Sequence, residues 1–162
     1  MQEKKIKLSF IYGKTSDLSS KEQELINNAK EAFNTAYAPY SGFLVGASVL
    51  LENGEMINGS NQENVAYPSG LCAERVALFY SGARYPDIKI KTIAVSVFSE
   101  NFEIHDVISP CGACRQVMAE YEDKQEQSIK VILHSPTDEV LIAKSVQDLL
   151  PFMFKSSLLK KH

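Results

Sequence analysis

The order of helical and strand patterns along the chain predicts an α/β fold, a three-layer α/β/α sandwich around a mixed five-stranded sheet. Apolar residues at helical spacing alternate with short strand-type runs in the order α-β-β-α-β-α-β-β-α. Ile90–Phe98 has few polar residues, which is typical of a central strand. Two of the helices follow strands at the edge where ligands bind in open α/β sheets. We expect one domain over residues 19–162, preceded by an arm over residues 1–18.

Each element has a local signal. A capping-box pattern at Ser19 or Ser20 begins the first helix, and Pro39 ends it. Asn53–Gly54 is typical of a hairpin turn. In the arm, the alternating stretch Ile6–Tyr12 could pair as an edge strand or lie on the domain surface as an ordered arm. The five predicted strands are Phe43–Leu51, Met56–Asn61, Ile90–Phe98, Ile129–His134 and Val140–Ala143, and the later helices begin at Cys72, Pro110 and Ser145.

Composition narrows the class of partner. Of the 162 residues, 44% are hydrophobic and 23% are charged, which is typical of a globular protein. No apolar run approaches the roughly 20 residues that span a bilayer, and Met1–Lys7 lacks the apolar stretch of a secretory signal. A net charge of −3 with scattered lysines disfavours nucleic-acid binding. Three cysteines indicate a reducing compartment. These features predict a cytoplasmic protein with a small-molecule partner, no nucleic acid and no membrane.

The three cysteines lie in two short segments, each at a predicted helix start. Zinc binds a thiolate at about 2.3 Å, which places two sulfurs on one tetrahedral ion about 3.8 Å apart. Cysteines three residues apart at a helix start share a face. A catalytic zinc site has three protein ligands and leaves one position for water, whereas a structural site has four. Cys72, Cys111 and Cys114 therefore predict one open zinc site per chain, and the candidates to close it are His105, His134, His162 and the carboxylates.

Glu74 stands two residues after Cys72, and helix geometry keeps such a pair from facing each other. We therefore expect Glu74 to move protons beside the metal rather than to bind it. Its structural alternative is a helix-start carboxylate that the helix dipole favours. Zinc with three thiolates carries a formal charge of −1, so we expect Arg75 to donate hydrogen bonds to the sulfurs. The alternative for Arg75 is a surface salt bridge.

Four segments together resemble the cytidine deaminase family, in its small homotetrameric branch. They are Phe43–Ala47, Asn61–Asn64, Cys72–Arg75 and Pro110–Gln116, and the resemblance extends from Ser20 to Phe154. It implies a zinc-dependent enzyme that hydrolytically deaminates cytidine and deoxycytidine in pyrimidine salvage. The zinc ligands would be the three cysteines, and Glu74 would be the catalytic proton carrier. The assembly would be a homotetramer.

The resemblance also implies residues that bind the nucleoside. Phe43 would pack against the base, and Asn61 and Glu63 would bond the ribose. In the family, the backbone groups that match the Ala73 amide and the Ser109 carbonyl read the base. Further substrate-binding candidates are Tyr67, in a loop, and Phe154, whose counterpart covers a neighbouring subunit's site. The structural alternatives are a core role for Phe43 and strand-end capping for Asn61 and Glu63.

Two other functions fit the same segments. One is deamination of another aminated heterocycle, such as a blasticidin-like antibiotic, although Asn61–Asn64 favours a substrate that carries ribose. The other is a zinc-stabilised binding module without turnover, which would need a fourth protein ligand.

Overall fold

A six-stranded mixed sheet runs through the protein in the computed structural model, which describes residues 1–155. The strand order is β1-β6-β5-β4-β2-β3, and β4 with β5 is the parallel pair. The strands are β1 (Phe10–Lys14), β2 (Phe43–Leu51), β3 (Met56–Ser60), β4 (Ile90–Ser99), β5 (Lys130–His134) and β6 (Glu139–Ala143). The helices in these residues are α1 (Ser20–Glu31), α2 (Ala73–Arg84), α3 (Gly112–Gln125) and α4 (Val146–Leu149).

The α/β class and the mixed sheet are confirmed, and the prediction of five strands is wrong. The sixth strand, β1, belongs to the predicted arm and pairs antiparallel with β6, from Phe10 opposite Ala143 to Lys14 opposite Glu139. It begins later than the alternating stretch Ile6–Tyr12 suggests. Most β1 side chains are exposed, so their alternation reports no buried face. Pairing with β6 therefore sets the bounds of β1, and the local sequence pattern does not.

Helices cover both faces of the sheet. On one face, Leu25 and Ile26 of α1 pack against Leu50, Ala94 and Ile132 of the central strands. On the other face, a larger cluster joins α2, α3 and α4 to the alternate residues of the same strands, among them Val49, Ile93, Val95, Val131 and Leu133. Because strand side chains alternate between faces, these two clusters form the two sides of a three-layer arrangement.

Most predicted element starts are confirmed. Ser19 caps α1 through reciprocal bonds with Glu22, and Gly54 has the positive φ of +91° that the hairpin turn requires. The α-helical part of the first helix ends at Glu31, before a 3-10 turn, and not at Pro39. The start of α3 also differs, because Cys111 has the extended φ and ψ of an N-cap, which leaves Pro110 two residues before the first helical residue, Gly112.

Two glycines bring the helices close to the sheet. A Cβ on Gly59 of β3 would lie 2.7 Å from the Ala73 carbonyl oxygen, at the first turn of α2. A Cβ on Gly46 of β2 would lie 1.8 Å from the Ala29 carbonyl oxygen of α1. The absence of a side chain at Gly59 therefore lets the N-terminus of α2, with its functional residues, rest directly on the sheet.

A buried carboxylate joins α3 to the end of the chain. Glu122 is 5% exposed and accepts hydrogen bonds from the backbone N–H of Ile129 at 2.8 Å and of Val146 at 2.9 Å. The Ser145 hydroxyl donates a third bond at 2.7 Å, and Ser145 itself caps α4 by accepting from the Gln147 N–H. These bonds fix the start of β5 and the start of α4 against the same helix.

Candidate metal centre and adjoining cavity

Two helix N-termini bring the three cysteines together. Cys72 and Cys111 are the N-cap residues of α2 and α3, and Cys114 is buried in the first turn of α3. The Sγ atoms of Cys72 and Cys111 lie 3.9 Å apart, and those of Cys111 and Cys114 lie 3.4 Å apart. All three sulfurs lie within 4.8 Å of one another. These separations bracket the roughly 3.8 Å expected for two thiolates on one zinc ion, so the three sulfurs fit zinc.

Within residues 1–155, no histidine, further cysteine or carboxylate joins this group as a fourth ligand. His105 pairs with exposed Glu103, and His134 is buried in β5 beside Ser96. His162, the remaining candidate, lies outside the described residues. Three thiolate donors with an open position are the ligand set of a catalytic zinc site rather than of a closed structural one.

The surroundings of the Cys72 sulfur favour its thiolate form. A hydrogen bond with Cys114 and the nearby Arg75 guanidinium lower the pKa of Cys72 to about 5. The hydrogen bond to Cys72, burial and the charge of Glu74 raise the pKa of Cys114. Arg75 donates through Nη2 to the Gly70 carbonyl oxygen at 3.3 Å and to the Cys72 Sγ at 3.9 Å. Arg75 thus has the position expected for a partner of the sulfurs.

Glu74 is a buried carboxylate beside the cysteines. It lies in the first turn of α2 and is 4% exposed. Burial, together with the negative charge of Cys72, raises the pKa of its carboxyl. A carboxyl with a raised pKa holds its proton more readily than a surface carboxylate does, so it can donate as well as accept. This is the property that a residue needs in order to shuttle protons to a bound ring.

A cavity of about 410 Å³ opens beside the cysteines. Its wall includes Cys72, Glu74, Arg75 and Cys111, and also four of the predicted substrate-binding residues, namely Phe43, Asn61, Glu63 and Ser109. Phe43 is partly exposed and stacks on Phe102, with ring centroids 6.1 Å apart. The volume and the mixture of apolar walls with a few polar groups suit a small organic molecule.

Backbone contacts hold the two polar side chains Asn61 and Glu63 in the cavity wall. The Asn61 amide accepts from the Val45 N–H and donates to the Phe43 carbonyl oxygen, both at 2.8 Å. Glu63 accepts from the Ser41 hydroxyl and from the N–H groups of Tyr40 and Ser41. Burial opposes these bonds, but they prevail and lower the pKa of Glu63, so it is an anion ready to accept from a hydroxyl group.

Three predicted substrate-binding residues do not line this cavity in the single chain. Ala73 is fully buried at the first position of α2, directly between Cys72 and Glu74. Tyr67 lies in a 3-10 turn with 81% of its surface exposed, and Phe154 is 66% exposed beyond α4. The structure of one chain therefore leaves both aromatic rings in solvent.

Several lining residues were missed in the sequence reading. Val45, Val97 and Ile108 give the cavity its apolar wall, and Ser41 orients Glu63. Val45 and Val97 lie opposite each other on β2 and β4, so their strand pattern gives only a core signal. Ser41 follows the Pro39–Tyr40 turn, and serine there is an ordinary turn residue. No local signal marks these residues, because only the pairing of distant segments brings them to the cavity.

Known proteins with sequences similar to this chain are zinc-binding deaminases, in agreement with the geometry of the site. The family model described as "Cytidine and deoxycytidylate deaminase zinc-binding region" covers residues 19–128. The chain is 39% identical over 135 residues to the cytidine deaminase of Sporosarcina psychrophila, covering 82% of this chain and 90% of that protein. It is 44% identical over 98 residues to the cytidine deaminase of Halalkalibacterium halodurans, covering 60% of this chain and 70% of that protein.

Solved structures agree with the sequence comparisons. The crystal structure of cytidine deaminase from Burkholderia pseudomallei superimposes with a TM-score of 0.70 at 40% identity, covering 82% of this chain and 98% of that chain. Cytidine deaminase from Mycobacterium tuberculosis gives a TM-score of 0.65 at 30% identity, covering 85% and 99%. The family match begins at residue 19, which leaves β1 outside it.

Proposed function

The chain belongs to the cytidine and deoxycytidylate deaminase family, and we propose that it hydrolyses cytidine and deoxycytidine to uridine and deoxyuridine with release of ammonia. It is a zinc-dependent hydrolase. The observation that carries the proposal is a buried carboxyl, Glu74, in the same cavity wall as Cys72 and Cys111, two of three convergent thiols that lack a fourth protein ligand in the described residues. A zinc-stabilised binding module would need that fourth ligand, so the open ligand set favours turnover.

The chemistry divides between the metal and the chain. Zinc held by Cys72, Cys111 and Cys114 supplies the Lewis acidity that brings the pKa of a water molecule toward neutrality. Glu74 takes a proton from the attacking water and delivers it to N3 of the pyrimidine ring. It then moves the second proton to the amino group on C4, which leaves as ammonia. One carboxyl can serve both transfers because N3 and the amino nitrogen lie on the same edge of the ring.

The cavity wall has groups for both parts of a nucleoside. Phe43 offers an aromatic face for the base. Asn61 and Glu63 line the same cavity and connect to the Phe43 segment through hydrogen bonds, and the Glu63 anion can accept from a ribose hydroxyl. The family resemblance implies that the Ala73 N–H and the Ser109 carbonyl would read the base edge. Ser109 lines the cavity, and Ala73 lies between Cys72 and Glu74 in the chain. A substrate without ribose would leave Glu63 unused, which supports a nucleoside over other aminated heterocycles.

We propose that the active unit is a homotetramer in which Phe154, and the loop that carries Tyr67, approach a neighbouring subunit's cavity. The support is the exposure of large apolar side chains that a monomer would leave in water. Tyr67 and Phe152 are each 81% exposed, and Phe154 is 66% exposed. Large apolar side chains that are exposed in a single chain are typical of contact surfaces between subunits.

A cytoplasmic place in pyrimidine salvage fits the three unpaired cysteines, which need a reducing compartment in order to bind metal. None of the helices in residues 1–155 is long and apolar enough to cross a membrane.

The test of the proposed chemistry is Glu74→Gln. The amide keeps the size of the side chain but cannot shuttle protons, so turnover of cytidine should fall by at least about 10²-fold. Zinc content, measured by elemental analysis, should not change. Loss of zinc from the variant would show that Glu74 is a ligand instead, and near-normal turnover would show that protons take another route.

A further inference from the structure

The side-chain amide of Gln116 binds both backbone groups of Phe154. Gln116 Nε2 donates to the Phe154 carbonyl oxygen at 2.9 Å, and the Phe154 N–H donates to Gln116 Oε1 at 3.1 Å. In these two hydrogen bonds the side-chain amide of Gln116 pairs with the Phe154 backbone as a neighbouring strand residue would. The two residues are 38 positions apart in the chain. Gln116 lies on α3, two residues after Cys114, so the contact starts from the helix turn that carries a zinc ligand.

Arg115 makes a second attachment from the same turn. Its Nη1 donates to the Leu149 carbonyl oxygen at 2.9 Å, and its Nε donates to the Pro110 carbonyl oxygen at 2.8 Å. One guanidinium therefore connects the segment just before Cys111 with the end of α4. A third contact involves Asp123, which lies farther along α3. One of its carboxylate oxygens is 4.0 Å from the Lys155 Nζ. The chain from Leu149 to Lys155 is thus attached to α3 at three places.

We propose that Gln116, supported by Arg115, is the positioning residue for Phe154, and that the turn carrying Cys114 thereby sets where the Phe154 ring stands for substrate binding. The inference rests on the proposed role of Phe154 in completing a cavity. Two observations on Phe154 support it. Its backbone N–H and carbonyl group are both hydrogen-bonded to Gln116, whereas the residue as a whole is 66% exposed. An ordered backbone that holds an apolar ring in solvent indicates a ring presented to another surface.

The chain supplies a matched control on the same helix. Gln125 binds the backbone of Ile90 in the same two-bond manner, with the Ile90 N–H donating to Oε1 and Nε2 donating to the Ile90 carbonyl oxygen, both at 2.9 Å. Both glutamines are partly buried, and Gln125 lies at the far end of α3 from the cysteines. Gln125 Nε2 also donates to the Gln127 carbonyl oxygen at 2.9 Å, so removing the Gln125 bonds costs the fold at least as much contact without touching the cavity.

The experiment compares Gln116→Met with Gln125→Met, because methionine keeps the side-chain length and removes the hydrogen bonds of the amide. Gln116→Met should raise KM for cytidine by about 5- to 30-fold, the loss expected from one or two hydrogen bonds, with little change in kcat. Zinc content should stay at one per chain. Hydrogen exchange of the peptide that contains Phe154 should become faster in Gln116→Met and remain unchanged in Gln125→Met. Gln116→Glu keeps the acceptor and loses the donor, so it should give an intermediate KM.

A double-mutant cycle separates positioning from general stability. In a Phe154→Ala background, Gln116→Met should raise KM no further, because Gln116 acts only through Phe154. Full additivity, an equal rise of KM in Gln125→Met, or unchanged exchange at Phe154 would each overturn the proposal. Failure of the parent protein to deaminate cytidine would contradict the proposed function instead, and the exchange comparison would still decide whether Gln116 anchors Phe154.

Discussion

A buried histidine should make the stability of this protein depend on pH, and the size of the effect follows from its surroundings. His134, on β5, is 4% exposed, and its Nδ1 lies 3.3 Å from the Ser96 hydroxyl. Its Nε2 is buried without a hydrogen-bond partner, and the Asp138 carboxylate lies 3.9 Å away. Burial, aided by the charge of Lys30 and opposed by that of Asp138, lowers the pKa of His134 to about 4.

The sign follows from the order of proton binding. As pH falls, the unfolded chain takes up the proton near pH 6.5, whereas the folded chain resists it until about pH 4. The stability that the neutral ring contributes is therefore complete above about pH 6.5 and is lost as pH falls toward 4. One pKa unit is worth about 1.4 kcal/mol, so the loss from this residue is about 3 kcal/mol.

The assay is urea unfolding at fixed protein concentration from pH 7.5 to pH 4.5, comparing the parent protein with His134→Asn. Asparagine keeps a polar group toward Ser96 and does not titrate. The variant should be less stable at pH 7.5 because it leaves a void, but its stability should fall by about 2–3 kcal/mol less over this range. Acid release of zinc affects both proteins and cancels in the difference. Parallel pH profiles of stability for the parent protein and the variant would show that His134 does not cause this pH dependence. Asp138→Asn removes the opposing charge, so it should make the loss steeper.

Three further perturbations test separate parts of the account. Cys111→Ala should hold less zinc per chain than the parent protein and should have a lower unfolding midpoint, because metal binding is coupled to folding. An unchanged zinc content by elemental analysis would contradict the ligand assignment. Glu122→Ala leaves two buried N–H donors and the partly buried Ser145 hydroxyl without their acceptor, so it should lower the free energy of unfolding by about 3–5 kcal/mol in urea titration. Glu122→Gln should cost less, and equal costs would contradict the bonding scheme. Refolding Glu74→Gln together with Phe154→Ala should recover part of the activity, since a mixed tetramer can pair an intact Glu74 with an intact Phe154; no recovery despite hybrids in native mass spectrometry would mean that each site lies within one chain.

The sequence predicted an element well where the residues of that one segment were enough to define it. The predicted bounds of β2 match the structure, and the hairpin turn, the α1 capping box and the Ser145 cap all lie where their residue types placed them. The three cysteines and Glu74 could also be placed, because two helix starts position them through short-range geometry.

Contacts between distant segments could not be read in this way. β1 exists because β6 offers an edge, and its mostly exposed side chains give no periodic signal. Glu122 and Gln116 are ordinary helix residues in sequence, and their buried or bidentate bonds depend on backbone groups 7 to 38 residues away. Pro110 illustrates a smaller limit, since a proline near a helix start does not say which neighbour is the N-cap.

The most direct test of the central claim is incubation of the zinc-loaded protein with cytidine while the cytosine absorbance and free ammonia are followed together. The account predicts that uridine and ammonia form in equal amounts, that a chelator stops the reaction, and that added zinc restores it. Protein with one zinc per chain that releases no ammonia from cytidine or deoxycytidine would contradict it.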